Sequence, residues 1–519
     1  MDSAIETREN VQEKAYKEGK LDPTIAMGPT EHRTCRDPLC FLVFVLCWVA
    51  SFIVAQYAFR NGDPNVLIPS AYSNFNTAPV GAIFYDDLKA AQPILIFVPI
   101  AAIILGFIFL CFLRNCAGCV LWSFIIIFLV GLVTFGFLCF DTLSNPDSTL
   151  DQFGILKSTS EATLKVLAFG SWTLAAIYIL ALFCLCNRIR LTVAILRCAA
   201  EFVREVPSAL LAPLASVTIF GGYLIYWLSV SVYLSSIDEI KKNEQENSNH
   251  GLLKLFHLFH GFWNYHLIFG VTQFVIALMC CRWYFHNERK HELNNLLLKS
   301  YGTALFYQLG SIAFGSLILA ALSTVKAVLA YFYRQLNSIE GNPVGRCMKY
   351  LYACILCFLD CFERMIQFLT RHSYTQMAMT GKSFCSSSKD AFYLVVRNTA
   401  RFGLVHEFGK IFVGFGQFCI TLVVTVLTYA SVTKISQFQE TVHFPLVPVA
   451  LAAGVGYVIG TIFMTVYGMA ADAIIQCYCI DEELNPNNRY APVILRDFIE
   501  QHAGGHMLIK DAELSSNFK

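Results

Sequence analysis

The chain has 519 residues, of which 56% are hydrophobic and only 14% are charged, whereas a soluble globular protein carries about 25% charged residues. This balance excludes an ordinary soluble protein and predicts a polytopic membrane protein. The net charge of +1 gives no reason to expect a nucleic-acid partner.

Three regions follow one another along the sequence. Residues 1–37 are polar and predict a flexible cytosolic tail, residues 38–480 predict the transmembrane domain, and residues 481–519 predict a cytosolic C-terminal tail. Apolar runs of about 20 residues, each long enough to cross about 30 Å of hydrocarbon, recur in the middle region. They lie at 39–59, 93–113, 117–140, 163–186, 208–234, 261–281, 303–330, 348–369, 410–433 and 446–472. The predicted fold class is all-α, a polytopic transmembrane helical bundle of about ten spans.

The Lys and Arg residues of the connecting loops predict the orientation of the bundle. One set of loops holds fourteen of them, at 114–116, 187–207, 282–302 and 370–409. The opposite set holds seven, at 60–92, 141–162, 235–260 and 434–445. Both termini are therefore predicted to be cytosolic.

One of the ten predicted spans is unusual, because residues 348–369 contain Asp360, Glu363 and Arg364. This segment could instead be an interfacial helix or lie deep in the bundle. An i,i+4 pair between Asp360 and Arg364 would lower the cost of either placement.

The span 208–234 combines a proline, a Gly-Gly pair and three aromatic residues. Pro213 and Gly221-Gly222 weaken the helix, which lipid tolerates only where protein or a water-filled cavity covers the freed groups. Tyr223, Tyr226 and Trp227 share one helix face. Three aromatic faces can hold an organic cation, and the alternative is that they simply pack against neighbouring helices.

Two further spans offer candidate binding residues. Trp263 and Tyr265 lie near the start of the sixth span, where an interfacial aromatic belt is one explanation for both, and Trp263 could equally belong to an aromatic cage for the cation. Gln273 lies deeper and needs a polar partner. Tyr307 and Gln308 in the seventh span could line a path beside small residues that permit close helix packing.

The tenth span carries Tyr467 and Asp472, which are candidates for a gating or proton-linked role. Because Asp472 is near the predicted cytosolic end, it could also be merely solvated. His266 and His406 are isolated in the sequence, so no metal site is predicted. No cofactor motif or catalytic cluster occurs, which argues against an enzyme.

Two long strings resemble the signature of the choline transporter-like protein family. The first, residues 368–398, contains a Gly-Lys-x-Phe-Cys core followed by a Ser-Lys-x-Ala-Phe element and a closing Arg-Asn. Its matching residues are Gly381, Lys382, Phe384, Cys385, Ser388, Lys389, Ala391, Phe392, Arg397 and Asn398. The second, residues 465–490, matches at Tyr467, Gly468, Met469, Asp472, Glu482 and Asn485. The loop 60–92 contains no cysteine, so the chain resembles a fungal, protist or invertebrate-type member, without extracellular disulfides.

The resemblance implies a transporter for choline, with ethanolamine as a second candidate substrate, and in some members a proton moves in exchange. We expect movement by alternating access, with Gly221-Gly222 as one flexing point. It implies the plasma membrane, with an organelle membrane as the alternative. The expected partners are choline or a related small organic cation and the lipid bilayer, with a monomer as the working expectation. The alternatives are a cation channel, a lipid-facing membrane scaffold without alternating access, and an intramembrane enzyme that acts on a choline lipid.

Overall fold

The protein is helical throughout the part of the chain that its structure describes. The computed structural model describes residues 21–64, 89–144, 161–243, 251–285, 295–337, 343–435, 445–485 and 489–498. These ranges contain no β-strand. The chain is an all-α polytopic helical membrane protein, as the apolar runs predict.

The helices are numbered here in chain order. They are α1 (Pro38–Asn61), α2 (Gln92–Ser144), α3 (Glu161–Glu205), α4 (Leu211–Asn243), α5 (Gly251–Phe285), α6 (Leu296–Thr303), α7 (Leu309–Asn337), α8 (Pro343–Thr380), α9 (Phe384–Arg397), α10 (Thr399–Lys434) and α11 (Leu446–Leu484). A π-turn at Ala304–Gln308 joins α6 to α7. The break between α8 and α9 falls at Gly381, whose φ of 67° is in the left-handed region that favours glycine.

Eight described helical segments are long and apolar enough to cross a membrane. Nine of the ten predicted spans, including 208–234 and 446–472, fall within them, one span to each segment except α2, which contains two. The predicted spans 93–113 and 117–140 both lie in α2, which is continuous and, at 1.5 Å per residue, about 80 Å long. The predicted cytosolic turn at 114–116 is therefore wrong. Arg114 instead pairs with Glu201 of α3 at 2.6 Å, so its charge is neutralised within a continuous helix.

The uncertain segment 348–369 lies inside α8, which is not among the membrane-spanning candidates. Its acidic residues do not use Arg364 as their partner. Lys326 of α7 pairs with Asp360 at 2.5 Å and with Glu363 at 2.9 Å. The charges of α8 are thus neutralised by a neighbouring helix rather than along α8 itself.

Two helices form the centre of the bundle. The inner half of α5 is almost fully buried from Phe274 to Cys281, and α11 is buried from Ile462 to Asp481. They contact each other and both contact α8. The apolar residues of α3 from Ile189 to Val203 complete the main core. Helices α1, α4 and α7 pack on the α5 side, and α2 and α10 pack on the α11 side.

The N-terminal segment 21–37 packs against the bundle, so the prediction that it is flexible is wrong for these residues. Leu21 and Ile25 are buried in the main core. The Thr30 amide donates to Met379 O at 2.9 Å, and the Arg36 amide donates to Tyr307 O at 3.0 Å.

Charged side chains of the same segment cap helix ends. The Arg33 guanidinium donates to the carbonyl oxygens of Met377 and Ala378, at the C-terminal end of α8 where carbonyl groups lack helical partners. Burial lowers the pKa of Arg33 to about 10, so it stays charged at neutral pH. Asp37 accepts from Ser311 Oγ at 2.5 Å and from the Phe384 amide at 3.3 Å.

Candidate functional site

An apolar cavity lies between α4 and α5, and it is called here the aromatic cavity. Its volume is about 240 Å³. It is lined by Phe220, Tyr223, Leu224, Trp227, Leu258, Gly261, Phe262 and Tyr265. None of these lining residues carries a charge, so the cavity offers ring faces and almost no polar surface.

Hydrogen bonds between α4 and α5 fix the two predicted aromatic residues that line this cavity. The Tyr223 hydroxyl lies 3.0 Å from His260 Nδ1 and is buried. The Trp227 Nε1 donates to His257 O at 3.0 Å, and the indole stacks on the His257 ring with centroids 5.1 Å apart. Both rings are therefore held in place at the wall of the cavity.

Three other predicted cage residues are placed elsewhere. Tyr226 turns toward α1, where its hydroxyl lies 3.0 Å from Ser51 Oγ and its ring stacks on Trp48. Trp263 is fully buried and donates to Ala313 O at 3.1 Å. Tyr307 is 42% exposed and does not line the aromatic cavity. For Tyr226 and Trp263, packing between helices is the role that the contacts support.

A second, polar cavity of about 140 Å³ lies deeper and is called here the central cavity. It is lined by Tyr265, His266, Phe269, Gly270, Gln273, Leu319, Gln367, Thr370, Arg371 and Tyr374. Tyr265 lines both this cavity and the aromatic cavity, so the two cavities adjoin at this residue. The predicted polar residue Gln273 faces this cavity.

A third cavity, the inner cavity, has a volume of about 390 Å³ and lies between α8, α10 and α11. Gln273, Gln367 and Arg371 line it as well as the central cavity. The three cavities therefore follow one another through the bundle, with shared residues at each junction. In the predicted orientation they run from the outer half of the membrane to the inner half.

Asp472 lies at the base of the inner cavity, and it is only 4% exposed, so a merely solvated role is wrong. Arg371 Nη1 of α8 lies 3.4 Å from one carboxylate oxygen, and His406 Nδ1 of α10 lies 3.4 Å from the other. The carboxylate thus joins three helices. A buried charge held by partners on separate elements is sensitive to any movement of those elements.

The other two predicted polar candidates are buried away from the cavities. Gln308 donates from Nε2 to Gly381 O at 3.0 Å, and its Oε1 has no hydrogen-bond partner among the described residues. Tyr467 is fully buried, and in the same part of the chain its hydroxyl likewise has no partner. Gln308 therefore holds the α8–α9 break.

A hydrogen-bonded network closes one wall of the central cavity. His266 Nε2 lies 3.0 Å from Ser323 Oγ, which donates to Glu363 Oε1 at 3.2 Å. Lys326 completes the network through its ion pair with Glu363. This network ties α5 and α7 to α8 at the level of the cavity.

Sequence reasoning missed three residues of the site. Tyr265 was expected in an interfacial belt, and His406 and Arg371 were separated in sequence from Asp472 by 66 and 101 positions. Helical periodicity predicts which residues share a face, but it contains no signal for which distant helices meet. Among the described residues, no group of three or more His, Cys, Asp or Glu side chains is placed to hold a metal ion.

Comparison with known proteins agrees with this architecture. The family described as plasma-membrane choline transporter matches residues 169–483. The chain is similar to choline transporter-like protein 2 of Dictyostelium discoideum, with 25% identity across 85% of this chain and 71% of the relative. It is also 25% identical to choline transporter-like protein 4 of Xenopus laevis, across 81% and 67%, and 26% identical to choline transporter-like protein 1 of Caenorhabditis elegans, across 76% and 56%. The match covers more than half of the chain and includes the residues that line all three cavities, and on this basis the chain belongs to the plasma-membrane choline transporter family.

Proposed function

We propose that this protein carries choline across the membrane, and that the aromatic cavity binds the trimethylammonium group. The observation that carries the proposal is the series of three cavities joined through Tyr265 and then through Gln273, Gln367 and Arg371. A binding site that leads into further, polar cavities is suited to a solute that enters from one side of the membrane and leaves on the other.

The aromatic cavity matches the chemistry of choline. A quaternary ammonium group cannot donate a hydrogen bond, so ring faces bind it better than carbonyl groups, at about 0.5–2 kcal/mol for each ring. Tyr223, Trp227 and Tyr265 present such faces in a cavity without charged lining residues. The hydroxyl group of choline needs one polar partner, and Gln273 in the central cavity would serve as that partner once choline has moved past Tyr265.

Ethanolamine is the weaker substrate in this proposal. Its primary ammonium group carries N–H donors that lose their water partners when they are buried, and an unpaired donor costs about 1–3 kcal/mol. The apolar lining of the aromatic cavity supplies few acceptors to replace that water. Choline is therefore expected to bind more tightly than ethanolamine.

Alternating access needs parts of the bundle that can move. Gly221 and Gly222 of α4 are the bending point in this proposal, because adjacent small residues without a side chain lower the cost of a helix kink. On the inner side, the Arg371–Asp472–His406 contacts would break when α8 moves away from α11. We place gating and the proposed proton exchange at Asp472, because release of Arg371 frees its carboxylate to accept either a proton or a cation.

Uptake of radiolabelled choline into liposomes that contain the purified protein tests this function. Saturable uptake that excess unlabelled choline inhibits is the expected result, with slower uptake of ethanolamine. A non-saturating ionic current would indicate a channel, and chemical conversion of a choline lipid would indicate an enzyme. Binding of choline without uptake would indicate a scaffold, and any of these three results would contradict the proposal.

A further inference from the structure

The inner cavity has a mouth between α8 and α10. Arg364 and Gln367 of α8 and Lys410 of α10 are exposed and line it. Gly414 of α10 also lines it, and an added Cβ there would meet no atom within 4 Å. The side chains of α8 and α10 thus leave a lateral opening that leads inward toward Asp472.

Positive charge predominates at this opening. The charged lining residues are Arg364, Arg371, Lys410 and Asp472, and the Asp472 carboxylate is already matched by Arg371 and His406. Lys410 also contacts Glu407 one turn away at 3.0 Å, but both of these side chains are more than half exposed, and such pairs contribute little. Among the residues that line the cavity, Arg364 and Lys410 are thus two exposed cations on different helices, and the lining carboxylate, Asp472, is already paired with other groups.

The surface around the mouth is apolar. Met365 follows Arg364 and is 54% exposed, and Ile411 follows Lys410 and is 41% exposed. The wall of the cavity contains Phe368, Val413 and Met464. Cations above an apolar wall, with exposed apolar side chains beside them, fit an amphiphile whose head is anionic.

We infer that this mouth binds the headgroup of an anionic phospholipid, with the phosphate between Arg364 and Lys410 and one acyl chain along Phe368 and Val413. Basic pockets between transmembrane helices on the cytosolic side are a recurrent setting for such headgroups. The loop charges predict that this end of α8 and α10 faces the cytosol. The site does not depend on the proposed transport of choline.

The bound lipid has a physical consequence for the cavity. Its phosphate neutralises the two cations, and its acyl chain closes the lateral opening so that the polar interior is separated from the hydrocarbon. Without it, the polar interior of the cavity would be open to hydrocarbon, which is costly because its polar groups would lose hydrogen-bond partners. The lipid is therefore expected to remain with the protein during purification.

Native mass spectrometry of the full chain from nanodiscs of phosphatidylcholine with added phosphatidylglycerol tests the inference. The wild type is expected to retain phosphatidylglycerol selectively. In the double variant Arg364→Gln, Lys410→Gln the preference should fall about thirty-fold, since a basic residue near anionic lipid contributes about 1 kcal/mol. The matched control is Arg188→Gln, Arg190→Gln, which removes two exposed cations of α3 on the same predicted side and should leave the preference unchanged.

A second variant keeps the charges and fills the space. Gly414→Leu places an apolar side chain in the mouth, replaces glycine with a better helix former, and should also expel the lipid. Equal retention of phosphatidylglycerol by the wild type, the double cation variant and Gly414→Leu would overturn the inference. So would displacement of the lipid by inorganic phosphate at equal concentration, because the site would then recognise a free anion.

Discussion

Arg371 Nη1 on α8 lies 3.4 Å from Asp472 Oδ2 on α11, at the base of a cavity that a substrate cation could enter. The Arg371 guanidinium occupies the position from which another cation would contact the Asp472 carboxylate. The contact is partly open, since the Arg371 side chain is 39% exposed while Asp472 is 5% exposed. A pair with one buried and one accessible member can separate without moving the buried member.

The first prediction concerns this carboxylate. Asp472→Asn keeps the shape of the side chain but removes the charge that holds Arg371 and His406. Choline uptake should fall by at least about tenfold, and an imposed proton gradient should no longer accelerate what remains. Uptake into liposomes with and without a pH step measures both effects.

The control for this variant is Glu161→Gln, which removes an exposed carboxylate paired with Lys165 one turn away at 2.8 Å. It should transport as the wild type does. If Asp472→Asn retained uptake and its response to the proton gradient, neither gating nor proton exchange could be assigned to Asp472. Choline binding at the aromatic cavity should survive in the variant, which separates a gating defect from loss of the site.

The second prediction concerns the aromatic cavity. Trp227→Ala removes one ring face, and choline affinity should fall about two- to thirty-fold, which corresponds to about 0.5–2 kcal/mol. Isothermal titration or the choline-induced shift in melting temperature measures it. Trp172→Ala is the matched control, because that indole is also partly buried and also donates to a backbone carbonyl, Val133 O at 3.3 Å, but lies on α3. Equal choline responses in the two variants would remove Trp227 from the site.

The sequence predicts where the helices lie along the chain better than it predicts which helices contact one another. Apolar runs predict membrane-spanning helices reliably because about 20 apolar residues have few other stable environments. The turn at 114–116 was wrong because one arginine within a long apolar stretch suggests a loop, and its neutralising partner Glu201 lies 87 positions away. A pairing of that kind is set by tertiary contact alone.

The candidate cage shows the same limit. Tyr223, Tyr226 and Trp227 do share one side of α4, as helical spacing predicts. That side faces two different helices, so Tyr226 contacts α1 while Trp227 contacts α5. Tyr265 was within reach of prediction, since it lies among the aromatic residues that open the sixth span, but an interfacial belt has the same sequence pattern.

The third prediction concerns the N-terminal segment. Arg33→Gln removes donors to the carbonyl oxygens of Met377 and Ala378, and losing such bonds costs about 1–3 kcal/mol. Hydrogen–deuterium exchange should increase at residues 377–384. Lys434→Gln, at the exposed end of α10, is the control and should leave that exchange unchanged. Unchanged exchange in Arg33→Gln would mean that the segment does not stabilise the α8–α9 break.

The fourth prediction tests how closely this segment approaches α7. An added Cβ at Gly310 would lie 2.2 Å from the Asp37 carbonyl oxygen, a distance that no side chain can occupy without moving the backbone. Gly310→Ala should therefore displace residues 36 and 37, lower the free energy of unfolding by about 1–3 kcal/mol, and make the N-terminal segment more sensitive to protease. Gly302→Ala is the matched control, since its Cβ would meet nothing within 4 Å.

Gly302→Ala should be neutral or slightly stabilising, because alanine is the better helix former by about 1 kcal/mol. Limited proteolysis and thermal unfolding of the two variants in the same detergent measure the difference. Equal protease sensitivity would show that α7 tolerates a side chain at position 310. The Asp37 carbonyl oxygen would then have to lie farther from α7 than it does in this structure. If protease removed the segment only in Gly310→Ala, residues 36 and 37 would be shown to pack against the bundle because position 310 has no side chain.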